Sequence, residues 1–299
     1  SMEIRSSQEY ANAFAEYIKT GNDAECRSLL TSNATNGTVA VPTVVEDIVK
    51  HAWDKEGIMS LVKKAYIAGN LKVGFERSSS DAAIHTEGSA AVAEEELVLG
   101  TVTLVPQSIK KWISISDEAM DLRGEAFLQY IYDELAYRIA KKAADTVVAS
   151  IEACTSSSTA TSVEVPEVTA ATITIGVIAD ALGKLSDEAA NPVVIMNKAT
   201  WSAFKAVQYA NNYSVDPFEG LPVVFNNSLD SFSAASTGDT YAIVGDLGHG
   251  AMANLPNGEG IEFKFDDMTS MTSDLVRVLG RQYIGIGIVA PKSFVKIKK

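Results

Sequence analysis

Residues 109–151 read IKKWISISDEAMDLRGEAFLQYIYDELAYRIAKKAADTVVASI, and the fold turns on this stretch. From Ile109 to Ser116 apolar and polar residues alternate, the period of a half-buried strand. Beyond Asp121 the period changes. Phe127, Ile131, Leu135, Ile139, Ala143, Val147 and Ile151 recur every fourth position, flanked by Glu134, Arg138, Lys141, Lys142 and Asp145. That spacing predicts one helix over about residues 121–154 with one buried and one wet face, and Asp117 or Asp121 as its N-cap. Roughly 30 residues at 1.5 Å each span about 45 Å. An average globular helix has only about 11–12 residues. A coiled coil is the competing explanation, but Ala140, Ala143, Ala144 and the lack of sustained heptads weaken it.

Upstream lies a polar, acidic run from Phe75 to Glu96, with a turn at Glu87-Gly88 and the triplet Glu94-Glu95-Glu96. Strand-like material flanks it on both sides, Leu61 to Gly74 and Leu97 to Val105, and Pro106 confines the return strand to an edge or a bulge. The pattern predicts a long hairpin. An isolated two-stranded hairpin is marginal in water, and its unpaired edges invite aggregation. Both problems vanish if the hairpin lies across an adjacent copy; folding over its own core is the alternative. Residues 1–36 read as an arm, with Tyr10, Phe14 and Ile18 on one helical face and a second short amphipathic piece ending at Leu30. So few apolar residues do not fold alone, so the arm is expected to pack on something else, such as a neighbouring subunit.

Between arm and hairpin, Thr38 to Pro42 is extended and Val44 to Trp53 has helical spacing. After the long helix, the Ser/Thr/Ala run Thr155 to Thr161 marks a domain boundary. Helices are expected at 175–185 and 199–207, and strands at 192–196, 221–225, 241–244, 261–265, 275–279, 284–289 and 294–297.

The 299 residues carry a net charge of −13, with 46% hydrophobic and 21% charged residues. After Asp274 there is no acid, while Arg277, Arg281, Lys292, Lys296, Lys298 and Lys299 make the tail basic. An acidic body argues against a nucleic-acid grip, which needs clustered Lys and Arg. An acidic wall does suit a container from which DNA must slide freely. No apolar run is long enough to span a membrane. Cys26 and Cys154 read as free thiols, and His51, His85 and His249 are too few ligands for a structural zinc site.

Catalytic signatures are absent: no Gly-x-Ser-x-Gly elbow, no His-Glu-x-x-His pair, no phosphate loop. Gly245-Asp246-Leu247-Gly248-His249-Gly250 has the wrong spacing for a dinucleotide loop and reads as a tight turn with glycines at positive φ. Asp246 and His249 would be the acid/base pair of an enzyme, but no nucleophile is placed to partner them. Gly285-Ile286-Gly287 implies close backbone approach within a strand, and Trp112 and Trp201 read as core or interface aromatics.

Several landmarks, in order, resemble the major capsid protein family of tailed bacteriophages. Val41-Pro42 and the following helix resemble the entry to its peripheral domain. Ile84-His85-Thr86-Glu87-Gly88 looks like its loop segment, with histidine where tryptophan is common. Ile113-Ser114-Ile115-Ser116-Asp117-Glu118 resembles the strand running into its spine helix. Asn191 to Asn197, Gly220 to Val224, Val244-Gly245-Asp246 and Arg281 to Pro291 resemble strands of its axial domain and closing segment.

The resemblance implies an α+β, Hong Kong 97-type capsid fold. Residues 1–36 would be the arm, 37–62 the first part of the peripheral domain and 63–108 the extended hairpin loop. Residues 109–154 would hold the spine helix with Phe127, Ile131, Leu135, Ile139 and Val147 in its core, 155–255 the α/β axial domain and 256–299 the closing strands. It further implies a non-catalytic subunit without cofactor or metal, forming hexamers and pentamers of an icosahedral virion shell around double-stranded DNA. Expected partners are a scaffolding protein or segment, a maturation protease and a portal, with assembly in the host bacterial cytoplasm. Tyr10, Phe14, Ile18, Glu87, Glu94, Glu95 and Glu96 are the candidate intersubunit contacts.

An encapsulin-type nanocompartment shell is the alternative on the same fold. Some family members cross-link a loop lysine to a late asparagine. Here no lysine lies between Gly74 and Pro106 and no asparagine between Asp266 and Gly280, so non-covalent contacts are expected. Many members begin with a helical scaffolding segment; this sequence starts at the arm, so the expectation is a removed segment or a separate scaffold.

Overall fold

The computed structural model describes residues 7–20, 24–30, 57–78, 97–116, 124–211, 214–266 and 275–299. In chain order these form helices α1 (Gln8–Thr20), α2 (Ala24–Leu30) and α3 (Gly57–Leu61), then strands β1 (Lys63–Ala65), β2 (Leu71–Ser78), β3 (Val98–Leu104) and β4 (Gln107–Ser116). The long helix α4 (Gly124–Ala153) follows, then β5 (Glu167–Thr169), α5 (Val177–Leu182), β6 (Val193–Met196) and α6 (Lys198–Asn211). The chain continues through β7 (Val223–Phe225), β8 (Thr240–Gly245), α7 (Leu247–Gly250) and β9 (Ala251–Asn254). It closes with β10 (Glu262–Asp266), β11 (Leu275–Ile288) and β12 (Phe294–Lys298). Two compact units result: residues 1–60, 107–143 and 255–284, and residues 61–106, 144–254 and 285–299.

In the first unit, residues 275–284 of β11 lie antiparallel between β10 and β4. Opposed residues share a face, so Lys110, Trp112 and Ser114 of β4 line up with Arg281, Leu279 and Arg277 of β11. Helix α4 contributes Ile131, Tyr132, Leu135, Ala136, Ile139 and Ala140 to the buried core. A methyl on Gly280 would meet Leu135 at 3.2 Å, so the missing side chain lets helix and sheet approach. In α1, Tyr10 and Phe14 are buried, with ring centroids 6.4 Å apart.

The second unit is built on a five-stranded sheet in the order β5-β12-β8-β6-β7. One face carries α5 and α6, whose Val177, Ile178, Ala181 and Phe204 share a core with Val194, Met196, Val244, Val295 and Ile297. Strand alternation turns Lys296 to the other face, where its ammonium meets the carbonyls of Glu152 and Cys154 at the end of α4. Beside the sheet, β1 pairs parallel with β9, and β9 antiparallel with residues 285–288 of β11. Strands β2 and β3 form an antiparallel hairpin in which Phe75 stands opposite Gly100. The residues that join them, 79–96, lie outside the described residues, as do 31–56, 117–123 and 267–274.

The sequence reading needs several corrections. The two strands expected at 275–279 and 284–289 are one 14-residue strand, because Gly280 to Tyr283 stay in the ladder opposite Lys111 to Ser108. The expected tight turn at 245–250 is instead a short helix, and none of its glycines has positive φ. These glycines are there for space: a Cβ on Gly245 or Gly250 would collide with the Phe294 ring. Trp112 is 54% exposed on the single chain and so is not a core residue. Gly285 and Gly287 do mark close approach, since added methyls would meet Pro106 N at 3.1 Å and Leu104 Cγ at 3.2 Å.

Candidate functional site

The one candidate acid/base pair is structural. Asp246 caps α7, its Oδ1 accepting from the N–H groups of Gly248 (2.9 Å) and His249 (3.2 Å), while Oδ2 accepts from Asn191 N (3.0 Å). A carboxylate occupied by three backbone donors is not held ready as a base. The His249 ring faces Glu188, with Nε2 3.5 Å from its carboxylate. Among the described residues no group of three or more His, Cys, Asp or Glu side chains could hold a metal. No described helix is long and apolar enough to cross a membrane. Cys26 and Cys154 are buried and are not joined in a disulfide.

What remains is surface. In the first unit Tyr10 and Phe14 are buried within the chain itself, and Tyr10 lies near Tyr132 on α4. Burial raises the Tyr132 phenol well above its ordinary value, with Tyr17 and Tyr10 adding to the effect. Ile18 lies in α1 and Phe127 in α4, while Glu87, Glu94, Glu95 and Glu96 fall outside the described residues. Ile131, Leu135, Ile139 and Val147 are buried along α4. Trp112 stands on a sheet face bordered by exposed Lys110, Lys264 and Arg277, and by Arg281, whose Nε donates to Glu262 at 3.1 Å.

The second unit carries features that strand and helix periods did not show. Lys296, only 3% exposed, donates to Cys154 O at 2.6 Å and pairs with Glu167 at 2.9 Å. Lys298 pairs with the same carboxylate at 2.8 Å. The Lys298 and Lys296 ammoniums together hold the Glu167 carboxyl below its usual value, against the effect of burial. The signal was present, since Lys296 occupies a row of otherwise apolar residues in Phe294-Val295-Lys296-Ile297. Beside it a polar cavity of about 320 Å³ is lined by Glu152, Asp230 and Asp239 with Ser228 and Thr240. On the other face, the Trp201 ring meets Phe225 edge-on at 6.3 Å, and Tyr209 is 65% exposed further along α6.

The description "phage capsid family" matches residues 36–299. The chain belongs to the phage capsid family. It is a major capsid protein, a structural and non-enzymatic subunit of an icosahedral shell, and the enzyme reading of Asp246 and His249 is set aside. Solved capsids share the fold. The capsid of a native GTA particle superposes with a TM-score of 0.63 at 14% identity, covering 81% of this chain and 96% of that one. Gordonia phage Cozz gives 0.51 at 17% identity, covering 81% and 86%. A virus-like particle from Pyrococcus furiosus gives 0.54 at 12%, covering 86% and 98%. No curated protein sequence matches the chain. Membership of the phage capsid family does not favour the encapsulin-type alternative. As a capsid protein the chain associates with its own copies and is a component of the virion.

Proposed function

We propose that this capsid protein assembles as hexamers and pentamers into a shell that encloses double-stranded DNA. The observation that carries the reading is the family match from residue 36 to the last residue, on a fold shared with shell-forming subunits. The net charge of −13 supports a container role, because a like-charged wall lets packaged DNA slide without sticking. The base of the β2–β3 hairpin packs on its own chain through Leu104 and Thr101, and its tip reaches a neighbouring subunit with Glu87, Glu94, Glu95 and Glu96 in the contact. Since Tyr10 and Phe14 are buried in their own chain, the arm's contact with a neighbour falls to Ile18. The absence of a loop lysine leaves these contacts non-covalent.

A scaffolding protein or segment, a maturation protease and a portal complete the assembly, which takes place in the host bacterial cytoplasm. Negative-stain microscopy of the purified full chain tests the reading. Closed particles of uniform diameter are expected; a chain that stays dispersed at every concentration and salt condition contradicts it.

A further inference from the structure

Two surfaces of the second unit complement each other in charge and lie on opposite faces of one sheet. On the α6 side, Trp201 and Tyr209 stand eight residues apart on one helix face, and Phe225 adds its ring from β7, the last strand of the sheet. Trp201, Phe225 and Tyr209 are 36%, 40% and 65% exposed, an aromatic concentration typical of interface centres. Two cations border it. Lys205 is bound to Asp216 at 3.4 Å. Lys198 lies 5.5 Å from the Phe225 ring centroid, is exposed, and has no ion pair among the described residues.

The opposite face holds the Glu152–Asp230–Asp239 cavity. Its two lysines are already engaged: Lys296 with Glu167 and the carbonyls of α4, Lys298 with Glu167. None of the three carboxylates has an ion pair among the described residues. Burial pushes the Glu152 carboxyl up, Lys296 opposes this, and Asp230 and Asp239 add to the rise. The cavity is net negative, because the two lysines that line it are shared with Glu167. Its carboxylates are not grouped to chelate a metal ion, which favours a long flexible ammonium over a compact divalent cation. A volume of about 320 Å³ gives room for a lysine side chain and some water, at roughly 30 Å³ per water.

We propose that these surfaces are the two halves of a head-to-tail contact between copies of this chain, with Lys198 of one copy entering the Glu152–Asp230–Asp239 cavity of the next beside the Trp201–Phe225 edge. Two different patches on opposite faces make the contact heterologous, the kind that closes into rings when the rotation between copies is right. The inference rests on the shell reading and names residues that would set its ring contacts.

Charge exchange tests it on the full chain under conditions where the unaltered protein forms particles. Lys198→Glu and Asp230→Lys should each raise the subunit concentration needed for half-assembly by about tenfold or more. The double variant Lys198→Glu/Asp230→Lys should restore assembly to within about threefold of the unaltered chain. Both positions are exposed, so the melting temperature of the unassembled subunit should not move. If a single variant does unfold, the size-preserving Lys198→Gln and Asp230→Asn replace it and should shift assembly in the same direction by a smaller factor. Singles that assemble normally, or a double variant that stays defective, would overturn the pairing while leaving the shell reading intact. An unaltered chain that never forms particles removes both.

Discussion

An ammonium as buried as that of Lys296 needs full compensation, and it gets it from Glu167 and two carbonyls at the end of α4. Removing one partner leaves an uncompensated buried charge. Glu167→Gln should therefore destabilise the unassembled subunit by about 2–4 kcal/mol at neutral pH, read by denaturant unfolding. The folded-state carboxyl is held below its ordinary value of 4.5, so its contribution is complete above that value. It is lost as pH falls through the lowered folded value, and the gap between variant and parent should close there. Gly250→Ala should cost about 1–3 kcal/mol through overpacking against Phe294 and Ser293, measured in the same way. Local pattern gave the role of neither site. Lys296 stands out in an apolar row but its partners do not, and the Gly245–Gly250 cluster reads as a turn. What gives both their role is β12, about 45 residues further along the chain.

Periodic elements were legible because their signal is local. The four-residue recurrence from Phe127 to Ile151 corresponds to α4, and the alternation from Ile109 to Ser116 to β4. Strands β5 and β9, three and four residues long, carry too little pattern to be seen and owe their existence to partners far away in sequence. The break expected inside β11 failed for a related reason: a glycine that looks like a terminator is instead the point where Leu135 packs. Leu135→Ala should lower stability by about 2–5 kcal/mol, since the side chain is fully buried, and thermal or denaturant unfolding reports it. A near-zero change would mean that α4 does not pack this way in solution.

For the whole molecule, the sequence showed a shape suited to assembly and no catalytic constellation, while the family match supplied the identity. The surfaces proposed to meet neighbours were less legible. Groupings such as Trp201 with Phe225, or Glu152 with Asp230, form only once distant elements come together. If the hairpin tip and the end of the arm reach neighbours as proposed, subunit contacts should exceed the roughly 2,000 Å² of a standard interface. Deleting residues 79–96, which leaves the paired strands β2 and β3 intact, should give a folded subunit that fails to close shells; normal assembly of that deletion would contradict the role proposed for the hairpin tip. The most direct measurement is a cryo-electron-microscopy reconstruction of particles formed by the purified chain. The capsid assignment predicts a closed icosahedral shell with five- and six-membered rings of this subunit, and a protein that forms only monomers or disordered aggregates would contradict it.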